Sequence, residues 1–114
     1  MNQLFTKLLQ RAVQKDASDI HLKTGSPAYF RVDGLLAPQE GEPLHREHID
    51  AILDELLSEE QKKFFGKRGE IDLSFTEKGV GRFRVNVFRQ RGSISIVMRR
   101  IKTRSQSDAS SMPD

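Results

Sequence analysis

The sequence predicts one α+β domain built on an antiparallel sheet, and three observations support this prediction. The chain has 114 residues, which is enough for one domain of ordinary size but too short for two. Apolar residues recur at helical spacing in some segments and alternate with polar residues in others. The predicted order is a helix, three short strands, two helices and three strands, which lacks the regular strand–helix alternation of a parallel sheet.

The amino-terminal third is predicted to form one helix and three short strands. Apolar pairs repeat every four residues in the first 14 positions, as expected for one face of a helix: Leu4, Phe5, Leu8, Leu9, Ala12 and Val13. Short strands are predicted at Ile20–Leu22 and Tyr29–Val32. The dipeptide Asp33-Gly34 is a strong hairpin signal, and it leads into a third strand that starts at Leu35.

The middle of the chain is predicted to form a loop and two helices. The loop covers Pro38–Pro43. The first helix has an apolar stripe at helical spacing: Ile49, Ile52, Leu53, Leu56 and Leu57. Ser58 and Gln61 match a capping box, so a second helix is predicted to start there, and Gly66 and Gly69 are predicted to end it.

Three strands are predicted to complete the domain. The first alternates apolar and polar residues around Ile71–Phe75, and the others cover Arg82–Arg89 and Ser93–Ile101. From Lys102 onward the composition changes to Ser, Asp and Pro, which predicts a disordered tail or a truncated linker over 102–114. The domain itself is therefore predicted to cover 1–101.

Charge is unevenly distributed along the chain. Residues 1–77 contain ten Lys/Arg and fourteen Asp/Glu, a net charge of −4, whereas residues 78–114 contain nine and two, a net charge of +7. The carboxyl-terminal part should therefore attract phosphates, nucleic acid, anionic lipid or an acidic protein surface. There is no cysteine, which excludes disulfides and cysteine-bound zinc. The amino terminus has no unbroken apolar run, so we expect a cytoplasmic protein.

The last predicted hairpin carries the main candidate site. If the apolar residues of both strands face one core, a two-residue turn at Arg91-Gly92 places Arg84 directly opposite Arg99. Two adjacent arginines repel each other unless an anion lies between them, and phosphate is such an anion. The alternative is a solvated sheet face whose arginines only keep the domain soluble. The pattern alone favours this second interpretation.

Other titratable residues give weaker signals. Asp19 and His21 are two residues apart and would point the same way on a strand, but neither has an evident third partner for a metal or acid/base site. A structural role, in which the carboxylate fixes the histidine tautomer, is the preferred interpretation. Two further pairs are predicted to be exposed. His45 and His48 lie at a predicted helix end, and Glu70 and Asp72 lie on the solvent-exposed face of a predicted strand. We predict no metal site.

Motifs for autonomous catalysis are missing from the 114 residues. They contain no G-x-x-x-x-G-K-[ST] phosphate loop, no recognisable Ser/His/Asp arrangement and no cysteine nucleophile. We therefore expect no enzyme activity and no bound cofactor for this chain on its own.

Four segments together resemble the amino-terminal domain of the PilT-like family, the type IV pilus retraction or twitching-motility ATPases of the secretion ATPase superfamily. The segments occur in the family's order: Ala17–Leu22, Arg31–Gly34, Glu70–Phe75 and Gly81–Phe88. The resemblance implies a PAS-like fold, an antiparallel sheet with helices packed on it. It also implies that the catalytic, Walker A-containing domain of the family is missing from these residues.

The resemblance further implies a role in nucleotide coupling and subunit contact. In the family this domain is joined to a RecA-like ATPase domain, binds ATP with Mg between the two domains, and forms hexamers at the inner-membrane pilus machinery. By motif position, the arginines that approach the phosphates are Arg84 and Arg99, which reverses the preference for a merely solvated face. The alternative function is a free-standing PAS-like module that modulates a full-length ATPase. Nucleic-acid binding is not expected, because Phe83 is predicted on the core face.

Overall fold

The computed structural model describes residues 3–102, and its elements follow the predicted order. The three helices and six strands in this part of the chain are α1 (Gln3–Gln14), β1 (Asp19–Lys23), β2 (Tyr29–Val32), β3 (Leu35–Pro38), α2 (Arg46–Leu56), α3 (Glu59–Arg68), β4 (Glu70–Glu77), β5 (Gly81–Gln90) and β6 (Ser93–Ile101). The tail predicted after Lys102 lies outside the described residues. This is the predicted α+β class.

The strands form one antiparallel sheet in the order β3-β2-β1-β6-β5-β4. Each half of the chain contributes three neighbouring strands, and the halves meet where β1 pairs with β6. The β1–β6 pair brings together residues that are about 80 positions apart, such as Asp19 and Arg99. The amino-terminal strands are therefore held in the sheet by the last strand.

The core lies between the helices and one face of the sheet. Most strands alternate buried and more exposed residues, as expected where only one face is covered, whereas the edge strand β3 is exposed throughout. Buried sheet residues include Ile20, Leu22, Phe30, Ile71, Phe83, Val85, Val87, Ile96 and Met98. Buried helical residues in the same cluster include Phe5, Leu8, Leu9, Ala12, Ile49, Ile52, Leu53, Leu56 and Phe65. No helix among residues 3–102 is both long and apolar enough to cross a membrane.

The start of α3 confirms the predicted capping box. The Gln61 N–H donates to the Ser58 hydroxyl at 3.2 Å, and the Ser58 N–H donates to the Gln61 side-chain oxygen at 2.9 Å. The helix ends at Gly69, whose φ of 78° is the left-handed conformation that glycine adopts without strain. Gly66 was wrongly predicted to share this role. It lies inside α3, since the cap at Gly69 lets the helix continue past it.

Two strand pairs are joined by two-residue turns. The turn between β5 and β6 has positive φ at Arg91 (52°) and Gly92 (80°), and the turn between β2 and β3 has the same pattern at Asp33 and Gly34. Positive φ at both central residues matches the twist of a tight hairpin. The third strand is longer than predicted, because Pro38, assigned to the loop, pairs with Tyr29. Proline is tolerated there since β3 is an edge strand.

Candidate functional site

The sheet face opposite the helices carries a row of charged side chains. Residues that alternate with the buried positions point to this outer face. Strand pairing aligns five of them side by side across β4, β5, β6, β1 and β2: Ser74, Arg84, Arg99, Asp19 and Arg31. The row contains three cations and one anion, so this strip of the sheet is positively charged. We call it the arginine row.

The predicted opposition of Arg84 and Arg99 is confirmed. The two are direct partners across β5 and β6, and the register follows from the turn at Arg91 and Gly92, as the sequence predicted. Both side chains are exposed. Among the described residues Arg84 makes no ion pair, whereas Arg99 has one distant carboxylate neighbour in Asp19. The repulsion between the two guanidinium groups is therefore not cancelled by a carboxylate placed between them.

An open depression of about 490 Å³ lies beside this pair. Its lining is Asp72, Arg84, Val85, Asn86, Val97 and Arg99. The Asn86 side-chain amide donates to an oxygen of Asp72 at 2.9 Å and to one of Glu70 at 3.0 Å. This explains the Glu70/Asp72 pair: both are exposed, as predicted, and both are tied to the neighbouring strand. The depression can accept an anion on its arginine side.

Asp19 is a nearly buried carboxylate in the arginine row. It is 9% exposed, and its side chain lies between two arginines, with the Nε atoms of Arg31 and Arg99 each 3.9 Å from one of its oxygens. The Ser18 hydroxyl donates to Asp19 Oδ1 at 2.7 Å. Within residues 3–102 the carboxylate thus has one direct hydrogen bond and two longer electrostatic contacts. Arg31 was not singled out from the sequence, because its place in the row depends on the pairing of β1 with β2.

His21 lies beside Asp19 on the same face. Burial is the main cause that lowers the pKa of His21 from its ordinary 6.5; the charge of Asp19 opposes this shift and that of Arg31 adds to it. No hydrogen bond joins Asp19 to His21 within residues 3–102. The prediction that the Asp19 carboxylate fixes the tautomer of His21 is therefore wrong. The acceptor oxygens of Asp19 face Ser18 and the arginines instead. Within the same residues, no cluster of three metal-binding side chains occurs.

The other histidine pair belongs to a helix end. The His45 N–H donates to His48 Nδ1 at 2.9 Å, which satisfies a backbone donor at the start of α2. The two rings lie 5.3 Å apart between centroids. The predicted helix-end position is confirmed, although His48 is half-buried rather than exposed. This pair lies at the start of α2 and not on a strand of the arginine row. Its role is structural, because it caps the helix.

Comparison with known proteins identifies relatives of the chain. It is 34% identical over 99 residues to the type IV pilus ATPase PilU of Pseudomonas aeruginosa and 36% identical over 99 residues to the type IV pilus retraction ATPase PilT of the same organism. Each match covers 87% of this chain but only 26% and 29% of the respective relative. The chain thus spans between a quarter and a third of the length of these proteins. No family model matches the chain.

Solved structures give the same result. A crystal structure of the pilus retraction motor PilT with bound ADP matches with a TM-score of 0.77 and 35% identity, over 85% of this chain and 29% of that one. The ATPase DotB of Legionella pneumophila shares the fold, with a TM-score of 0.73 at 23% identity over 90% of this chain and 30% of that one. The chain is therefore homologous to the amino-terminal portion of PilT- and PilU-type type IV pilus ATPases.

Proposed function

We propose that this domain couples bound nucleotide to the movement of a pilus retraction ATPase, with Arg84 and Arg99 contacting the nucleotide phosphates. The observation that carries the proposal is the direct opposition of these two arginines on an outer sheet face. The relatives supply the context, since one is named a retraction ATPase and the related solved structure contains ADP.

The chemistry of the arginine pair supports a phosphate ligand. Side chains of directly opposed strand residues have Cβ atoms about 5 Å apart, so two guanidinium groups at these positions repel. A phosphate between them replaces repulsion with two charge-assisted contacts, each of which can be bidentate. Asp72, the carboxylate that lines the same depression, is engaged by Asn86. Arg84 is left with an open side facing the depression.

In this proposal the domain alone binds phosphate weakly through its two arginines but does not enclose the nucleotide. The 114 residues contain no phosphate loop, so the groups that enclose the triphosphate and its Mg²⁺ belong to a RecA-like ATPase domain, of the same chain or of a neighbour. Arg84 and Arg99 complete the nucleotide site from the side of this domain. Rotation of the two domains would then bring the arginines to the phosphates or remove them. Assembly into a hexamer at the inner-membrane pilus machinery belongs to the same proposal.

A chimera tests this function. Residues 1–102 replace the matching amino-terminal portion of P. aeruginosa PilT, and ATP turnover is measured. We expect Arg84→Ala and Arg99→Ala each to lower kcat about tenfold or more, because preorganised cations act on charge that develops in phosphoryl transfer. Arg91→Ala is the matched control, since Arg91 is exposed in the turn of the same hairpin. Equal turnover in all three variants would refute the assigned role.

A further inference from the structure

We infer that Asp19 is an exchangeable counter-ion for Arg99: it holds this arginine while the site is empty and releases it when a phosphate arrives. The inference rests on the proposed function, because it concerns the same phosphate site. It assigns a positioning role to a residue that does not itself contact the ligand. Three features of the arginine row support it: the place of Asp19 in the sheet, the length of its contacts and the presence of a second arginine.

The place of Asp19 determines the direction in which Arg99 is drawn. Strand β6 lies between β1 and β5, so Arg99 has Asp19 on one side and Arg84 on the other. The attraction to Asp19 draws the Arg99 guanidinium toward β1, and the repulsion from Arg84 acts in the same direction. In the empty site both forces therefore favour an Arg99 side chain turned away from Arg84.

The contact between Asp19 and Arg99 is weak enough to exchange. The Nε–Oδ2 distance of 3.9 Å is too long for a hydrogen bond, and the Arg99 side chain is 76% exposed. Ion pairs with this much solvent exposure contribute little to stability. A phosphate near Arg84 offers Arg99 a stronger, hydrogen-bonded partner. Exchange between the two anions therefore needs no rearrangement of the sheet.

Arg31 lowers the free-energy cost of separating Arg99 from Asp19. A nearly buried carboxylate that loses its only counter-ion becomes an uncompensated charge, which is costly. Here the Nε atom of Arg31 stays 3.9 Å from the other carboxylate oxygen, and Arg31 is itself fixed by a hydrogen bond from its Nη1 to the Gly34 carbonyl at 3.1 Å. Ser18 continues to donate to the same carboxylate. Asp19 thus keeps a cation and a hydrogen bond after Arg99 leaves.

A double-mutant cycle on the full 114-residue chain tests the exchange, with inorganic pyrophosphate as the probe. Binding is followed by NMR through the arginine Nε–Hε signals, and backbone spectra establish that each variant is folded. Asp19→Asn should tighten pyrophosphate binding about threefold, the size expected for loss of a competing exposed ion pair. In an Arg99→Ala background the same substitution should have almost no effect. The control is Asp72→Asn, whose effect should be equal in both backgrounds because Asp72 makes no ion pair with Arg99.

The wild-type chain provides a second readout that does not depend on any substitution. Saturation with pyrophosphate should shift the Nε–Hε signals of Arg84 and Arg99 directly. The signal of Arg31 should also shift, because Asp19 loses its contact with Arg99. If Asp19→Asn tightens binding equally with and without Arg99, the exchange is refuted while the phosphate site stands. If pyrophosphate leaves the Arg84 and Arg99 signals unchanged, the phosphate site itself is refuted, and the exchange with it.

Discussion

Arg100 at the end of β6 donates through Nη1 to Asp16 Oδ1 at 3.0 Å, across 84 positions of sequence. The same nitrogen also donates to the Ala17 carbonyl at 3.3 Å, and the Lys102 ammonium lies 3.7 Å from Asp16. Asp16 itself has a positive φ of 58°, in the turn that follows α1. These contacts tie the first turn of the domain to the last strand, close to the point where the chain leaves the sheet.

Loss of this contact should reduce stability measurably. We predict that Arg100→Ala lowers the free energy of unfolding by about 1–2 kcal/mol, because a charged hydrogen bond and a bond to a backbone carbonyl are both lost from a largely buried side chain. Urea unfolding measures the change. Arg99→Ala is the matched control and should cost less than about 0.5 kcal/mol, since that side chain is exposed and its ion pair is long. Equal effects of the two would contradict the assignment.

The hairpin turn should be sensitive to its second residue but not its first. Gly92 has a φ of 80°, so Gly92→Ala should destabilise the domain by about 1 kcal/mol through backbone strain. Arg91 also has positive φ, and Arg91→Asn should be neutral or stabilising because Asn adopts this conformation more readily than Arg. Thermal unfolding of the two variants tests whether the first loses stability and the second does not. A stabilising Gly92→Ala would show that the turn has a different geometry.

The cap of α3 gives a third prediction. Ser58→Ala removes the acceptor for the Gln61 N–H and should cost about 1 kcal/mol in chemical unfolding. Ser58→Asp keeps an acceptor at the same position and should retain most of the stability. An equal loss in both variants would mean that the hydroxyl contributes something other than a cap.

Stability should also depend on pH through His21. Its pKa is lowered in the folded domain, chiefly by burial, so the unfolded chain binds more protons as the pH falls below about 6.5. The contribution of the neutral His21 imidazole to stability is therefore fully present above pH 6.5. It decreases as the pH falls from 6.5 toward the lower folded-state pKa. Urea unfolding between pH 5 and pH 8 should show this slope, and His21→Gln should reduce it. His45→Gln is the control, because His45 is exposed and outside the arginine row; an unchanged slope in His21→Gln would contradict the prediction.

The sequence predicted those parts of the site that depend on local rules. The position of Arg84 opposite Arg99 follows from alternation of apolar residues and from one tight turn, both of which lie within about 20 residues of sequence. The capping box at Ser58 is likewise local. These features were predictable because neighbouring residues determine them.

The remaining features of the site depend on contacts between distant segments. Asp19 enters the arginine row because β1 pairs with β6 on one side and β2 on the other, and the sequence pattern indicated only that it lies on a strand. Its predicted partner, His21, was chosen from spacing along one strand, whereas the actual partners are the preceding residue, Ser18, and two arginines on neighbouring strands. Gly66 was misassigned for a different, local reason: glycine is compatible with a helix end but does not require one.

A structure of the PilT chimera with a bound, non-hydrolysable ATP analogue tests the central claim most directly. The measured quantity is the distance from the guanidinium nitrogens of Arg84 and Arg99 to the nearest phosphate oxygens. The account predicts that at least one of the two arginines lies within hydrogen-bond distance, about 3 Å, in subunits whose domains are closed around the nucleotide. Closed subunits in which both guanidinium groups face solvent, well away from the phosphates, would contradict it.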